Sequence, residues 1–454
     1  MSFLSVNPTT GDVLREYPAH SRDQVQDALA LSARTASIWR STSFEERGRL
    51  MLEAAGILER EGTAIATMLT TEMGKTLASA KGEVAKCATT MRYYASHSAA
   101  MLADESISSP ASRSGVRYEP LGAVFAVMPW NFALWQVIRF AAPALMAGNV
   151  GILKHASNVP QAASFLETLF QRAGFPEGCF INLFLTHDDV PMVIADERVA
   201  AVTLTGSEGV GRTIAQLAGA NLKKCVLELG GSDAFIVASS ADLASTVPMA
   251  VTARIQNNGQ SCIAAKRFIV VRQRADEFIS RFVAGMQAAI AGDPLDQSTV
   301  VGPLATGAQR DLIANQVAQS VSAGATLLCG GVLPQGPGFF YPPTVLTDVP
   351  TDSPAGCEEL FGPVAVVRVV EDLDEAIAVA NDTPWGLGGS IWAQDASEID
   401  QAIVGMEAGM VFANAIVASS PELPFGGIKN SGYGRELSAL GIREFTNAKT
   451  FYVA

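Results

Sequence analysis

The stretch GAVFAVMPWNFALWQVIRFAAPALMAGNVGILK, residues 122–154, decides the fold class. An apolar β-like run, GAVFAVMP, leads into a segment with apolar residues at helical spacing and then into a second β-like run, VGILK. Strand, helix and strand in that order imply parallel strands joined by a crossover helix. Downstream the theme repeats: AAVTLTG and KCVLELGG alternate with helical stretches such as VGRTIAQLAGAN. A second series follows Gly231, with DAFIVA, KRFIVV, ATLLCGG, AVVRVV and GSIWAQ set between helices such as DEFISRFVAGMQAAI and LDEAIAVAN. The expected fold is α/β, with two parallel-sheet domains covered by helices.

Upstream, the first hundred residues read as an outer helical layer, from periodic segments such as DQVQDALALSARTASIW. Residues 106–120 break that pattern with serines, two prolines and alternating residues, which fits an extended arm. At 454 residues and 48% hydrophobic content the chain is long enough for two or three domains. Acids outnumber bases 45 to 32, for a net charge of -13, which argues against nucleic acid as a partner. Six dispersed cysteines without a CxxC pair, no leader-like start and no long apolar run point to a cytoplasmic protein outside the membrane. No HExxH or Cys/His ligand cluster occurs, so no metal is expected.

The chemistry centres on NNGQSCIAAKRFIV, residues 257–270, where a helix ends in a glycine-containing loop that presents Cys262 just before a strand. A loop cysteine held between rigid elements is well placed as a nucleophile, although a lone cysteine is more often a buried structural thiol. Such a thiol needs a base, and the four histidines (His20, His97, His155, His187) suggest no Cys-His pair. Glu228 interrupts an apolar strand immediately before a Gly-Gly turn, where burial would raise its pKa toward that of a general base. Asn131, read alone, is an N-cap for the helix that follows. Gly206, Ser207 and Gly211 open a helix whose free N–H groups suit a phosphate, although no GxGxxG fingerprint follows any expected strand.

Taken together, VLELGGSDAFIV (226–237) and GQSC (259–262) resemble the paired signature of the aldehyde dehydrogenase superfamily. The resemblance runs along nearly the whole chain through NPTTG, PLGAVFAVMPWNF, ILKHAS, VTLTGSEGVG, EELFGPV and PFGGIKNSGYGREL. It implies Cys262 as nucleophile, Glu228 as base and Asn131 as oxyanion-hole donor. It further implies a cofactor cradle of Met128, Pro129, Trp130, Lys154, Ser157, Gly206, Ser207, Gly211, Leu229, Glu359 and Phe361. NAD-preferring relatives tend to carry a glutamate where this chain has Ser157, so NADP is the expected cofactor, with NAD a weaker one.

Phe132, Gln136 and Arg139 are spaced to share a helix face that could line a substrate channel. Arg139 and Ser419 match positions that bind the far carboxylate in short bacterial succinate-semialdehyde dehydrogenases; Gln256 replaces a second arginine, and Ala264 a second loop cysteine. A buried arginine needs an anion, either a substrate carboxylate or an internal salt-bridge partner. The expected substrate is succinic semialdehyde; the alternatives are another short semialdehyde such as glutarate semialdehyde, or a non-catalytic protein on this fold. The implied domains are a Rossmann-like cofactor domain (1–105 and 121–227), a catalytic domain (228–430), and an arm (106–120 and 440–454) that assembles a homodimer or homotetramer.

Overall fold

A computed structural model describes residues 2–454. The stretch 122–154 folds as strand Ala123–Met128, helix Trp135–Met146 and strand Val150–His155, the two strands pairing in parallel. Every residue of the helix is buried, including the polar Gln136 and Arg139. The two strands lie within a six-stranded sheet ordered Gly432–Tyr433, Lys224–Glu228, Val199–Thr205, Ala123–Met128, Val150–His155 and Phe180–Asn182. All its pairings are parallel except that of Gly432–Tyr433.

The second sheet has seven strands: Thr326–Cys329, Thr344–Thr347, Val364–Val370, Arg267–Val271, Ala234–Val237, Gly388–Trp392 and Met410–Ala413. Only its first edge strand runs antiparallel. The apolar runs read as strands occupy these two sheets because strands covered on both faces must be apolar throughout. Full burial of side chains such as Phe125, Phe140, Phe235 and Phe268 contributes about 1.5–3 kcal/mol each. A separate three-stranded sheet pairs Thr446–Val453 with Arg113–Pro120 and Glu105–Ser106.

One sequence expectation needs correction. The chain does not begin helically: Ser2–Val6 and Val13–Pro18 form an antiparallel pair before the first helix, Arg22–Trp39. The second of these strands is exposed at every position but Tyr17, so it carries no apolar alternation to read. The helices that follow include Leu77–Met101, whose first turn is capped by Thr76 accepting from the Ser79 N–H. That helix packs against Trp135–Met146 and brings Glu83 and Lys86 toward the end of the first sheet.

Candidate active site

Cys262 sits after a backbone that few residues adopt. Asn257, Asn258 and Gly259 have successive φ values of 53°, 58° and 74°. Asparagine tolerates the left-handed region because its side chain bonds locally to the backbone. The Asn257 amide donates to Asn131 O at 2.8 Å and Gln260 O at 3.0 Å. That of Asn258 donates to Gly74 O and Pro303 O, and its oxygen accepts from the Gly302 N–H. A Cβ on Gly259 would lie 2.3 Å from the Gly362 carbonyl carbon, so only glycine fits. The loop is therefore tied to several elements, and Cys262 is presented from a rigid base.

Two cavities meet at Cys262, which lines both together with Gln136. One, of about 270 Å³, is lined by Pro129, Trp130, Asn131, Gly206, Ser207, Leu229, Glu359 and Phe361. Trp130 and Phe361 pack edge to face there with ring centroids 5.6 Å apart. The other, of about 200 Å³, is lined by Phe132, Arg139 and Ser419, and also by Lys86, Trp135, Gln256 and Phe425. A larger depression of about 1040 Å³ beside Arg267 and Arg368 contains none of the residues selected from the sequence.

The first cavity suits a dinucleotide. Ser207 opens helix Glu208–Ala220, and its hydroxyl is not used in capping. Gly206 precedes it, leaving the helix N–H groups and dipole for an anion. Gly211 allows this helix to approach Leu229; a Cβ there would stand 2.5 Å from the leucine methyl. Lys154 is buried at the end of its strand with no carboxylate in ion-pair range among the described residues, and desolvation lowers its pKa. Ser157 is exposed just beyond that strand and Met128 is buried; neither lines the cavity itself. Glu359 faces inward: it accepts from the Gly231 N–H at 3.2 Å and pairs with Lys266 at 3.4 Å.

Asn131 is not the helix cap, a position held by Leu134. One Asn131 amide N–H donates to Gln260 O at 3.1 Å, which leaves its second N–H free for a ligand oxygen. The Cys262 backbone N–H finds no acceptor among the described residues. Burial pushes the Cys262 thiol up to about 12, against the opposing pull of Arg139 and Lys266. The free thiol is therefore protonated at neutral pH.

Glu228 lines neither cavity. It ends strand Lys224–Glu228, and both carboxylate oxygens are buried without a hydrogen-bond partner among the described residues. Burial raises its pKa well above the usual carboxylate range, and the neighbouring Glu436 carboxylate raises it further. No hydrogen bond holds the side chain where it lies.

Of the two anions open to Arg139, a substrate carboxylate or an internal salt-bridge partner, the second is present. Arg139 Nε pairs with the Glu436 carboxylate, both side chains are buried, and the guanidinium carbon lies 4.3 Å from the Phe425 ring centroid. Its anion is internal. Glu436 lies in the PFGGIKNSGYGREL motif, but nothing in its local pattern reveals the pairing. Lys86, Thr205, Lys266 and Gln309 likewise escaped the sequence reading, since each enters the site from an element whose packing the local pattern does not show.

An aldehyde dehydrogenase family model matches residues 1–451. The chain belongs to the aldehyde dehydrogenase family. It is 53% identical to a succinate-semialdehyde dehydrogenase [NADP(+)] of Mycobacterium avium, over the whole chain and 97% of that protein. It is 52% identical to succinate-semialdehyde dehydrogenase [NADP(+)] 1 of Mycobacterium tuberculosis (strain H37Rv), over the full length of both. The crystal structure of succinic semialdehyde dehydrogenase from Streptococcus pyogenes in complex with NADP+ superposes with a TM-score of 0.98 at 38% identity, covering 99% of each chain. Among the described residues no helix is long and apolar enough to cross a membrane, and no cluster of His, Cys, Asp and Glu is arranged to hold a metal.

Proposed function

We propose that this member of the family oxidises succinic semialdehyde to succinate with NADP as the preferred cofactor. The observation that carries the proposal is the meeting of two cavities at one cysteine, one suited to a dinucleotide and the other lined with cationic side chains. Full-length identity above 50% to proteins named for that reaction supports it.

Cys262 Sγ bonds the aldehyde carbon as Glu228, turned toward the cavity, takes the thiol proton and passes it to solvent; the resulting tetrahedral oxyanion accepts from the spare Asn131 amide N–H and the Cys262 backbone N–H. NADP, when bound, supplies the hydride acceptor. Water then cleaves the resulting thioester. Glu228, turned toward the cavity, takes the proton of that water; its raised pKa suits this role. Lys154, Ser207 and Gly206 hold the nucleotide, and Ser157 leaves room for a 2'-phosphate that a carboxylate would repel. Phe132, Gln136 and Ser419 shape the substrate side.

The arm of residues 105–120 and 446–453 keeps Ile107, Tyr452 and Val453 exposed. Uncovered apolar groups on a small sheet favour association of copies into a homodimer or homotetramer.

Steady-state kinetics with succinic semialdehyde, glutarate semialdehyde and butanal, each with NADP and NAD, test the proposal. The expected result is the highest kcat/KM for succinic semialdehyde with NADP. A kcat/KM for butanal equal to or above that for succinic semialdehyde overturns the substrate assignment.

A further inference from the structure

The turn that carries Asn131 has no cap of its own. Leu134 stands at the N-cap of helix Trp135–Met146 and makes no side-chain capping hydrogen bond. The first N–H groups of a helix need an acceptor, and a leucine side chain offers none. The acceptor arrives from another helix: Glu83 Oε1 takes the Leu134 N–H at 2.8 Å and the Trp135 N–H at 2.9 Å.

Glu83 is buried on helix Leu77–Met101, and its Oε2 pairs with Lys75, which is also buried. A buried carboxylate is costly without partners; this one has an ammonium on one oxygen and two backbone donors on the other. Lys75 Nζ lies 4.1 Å from the Phe132 ring centroid, so the ion pair also bears on the turn from the side. Other groups hold the carbonyls of the turn. His155 Nε2 lies 2.8 Å from Ala133 O, and the Asn257 amide donates to Asn131 O at 2.8 Å. Glu83 holds the N–H groups at the point where the turn becomes a helix.

We infer that Glu83 is a positioning residue for aldehyde oxidation: as a remote helix cap it fixes the turn of residues 131–134, so that the spare Asn131 N–H meets the oxyanion formed at Cys262. Lys75 keeps Glu83 in that place. The inference rests on the oxyanion role of Asn131 given above. Such a donor works because it is in place before the charge develops, and a displacement of about 1 Å costs on the order of a hundredfold in rate.

The test separates the acceptor oxygen from the charge. Glu83→Gln keeps an oxygen for the two N–H groups but strands Lys75 without a counter-ion, so both exchanges are made together with Lys75→Met. Lys75→Met/Glu83→Gln is compared with Lys75→Met/Glu83→Leu, each as the full-length chain with NADP and succinic semialdehyde. The glutamine form should keep most of the wild-type kcat/KM, and the leucine form should lose about 10- to 100-fold. With Asn131→Ala added to both, the two forms should differ by less than about threefold, because a residue that acts through Asn131 has nothing left to position. Cys262 alkylation by iodoacetamide needs no oxyanion and should proceed at the same rate in the two forms.

Equal kcat/KM in the glutamine and leucine forms, a loss that Asn131→Ala leaves undiminished, or an equal loss in alkylation rate overturns the inference. Should the leucine form not fold, Glu83→Asp decides: it keeps a charge for Lys75, shortens the arm by one methylene and should lower kcat/KM by about threefold or more, and a wild-type value overturns the inference. Wild-type kcat/KM in Asn131→Ala alone would instead remove the oxyanion role on which the inference rests, so the two failures are distinguishable.

Discussion

Arg139 and Glu436 form an ion pair buried beside the substrate cavity, both side chains withdrawn from solvent. Removing one partner strands the other charge in a poorly solvated place, at a cost of about 3–5 kcal/mol. Arg139→Ala and Glu436→Gln should each lower the free energy of unfolding by that order, and the denaturant midpoint with it. The double variant Arg139→Met/Glu436→Leu should lose less than the sum of the two. Unfolding curves for the four proteins check this; a single variant as stable as wild type shows that the pair does not hold the fold.

The pH dependence follows from the raised pKa of the general base. Glu228 must be ionised to accept a proton, and burial beside Glu436 lifts its pKa well above the usual carboxylate range. Activity therefore rises with pH through an apparent pKa above that of an ordinary glutamate, a value that belongs to the interacting carboxylates. Glu228→Gln should abolish this acidic limb and lower kcat by about 100-fold or more. A kcat/KM profile that is flat between pH 5 and 8 in wild type would contradict it.

Cys262, with its thiol pushed up to about 12, should be slow to alkylate in the free enzyme. The thiolate fraction, and with it the rate of iodoacetamide inactivation, should climb about tenfold per pH unit across the neutral range. Cys262→Ala should have no aldehyde oxidation. Fast, pH-independent inactivation at pH 7 would show that a base already holds the thiol proton.

Ser157 is exposed beyond the strand that carries Lys154. Ser157→Glu places a carboxylate where a 2'-phosphate would lie and should shift the NADP-to-NAD ratio of kcat/KM toward NAD by about tenfold or more, one tenfold step being 1.4 kcal/mol. Kinetics with both cofactors decide it; an unchanged ratio removes Ser157 from cofactor choice.

Gly259 carries the tightest backbone constraint next to the nucleophile. Gly259→Ala combines a left-handed φ of 74° with a contact 2.3 Å from the Gly362 carbonyl carbon. The conformation alone costs about 1–2 kcal/mol, and relieving the contact must move the loop that presents Cys262. Both melting temperature and kcat should fall; a variant with wild-type kcat would show that the loop tolerates the shift.

The alternation of apolar runs with helices was legible in the sequence because strands buried on both faces cannot hide their composition. The starting strand pair, Ser2–Val6 with Val13–Pro18, was not, since a mostly exposed two-stranded ribbon has no apolar periodicity. The loop presenting Cys262 was readable from its glycine; the left-handed Asn257 and Asn258 before it emerged only in the structure.

Local pattern and motif order were enough to determine the α/β class, the cysteine loop and the family. What only the tertiary structure decided is how the charges are paired. Glu436 reaches Arg139, and Lys86 meets Ser419 across 333 positions of chain. Secondary structure follows from neighbours along the chain, whereas the choice of counter-ion depends on which side chains the packed elements bring within a few ångströms.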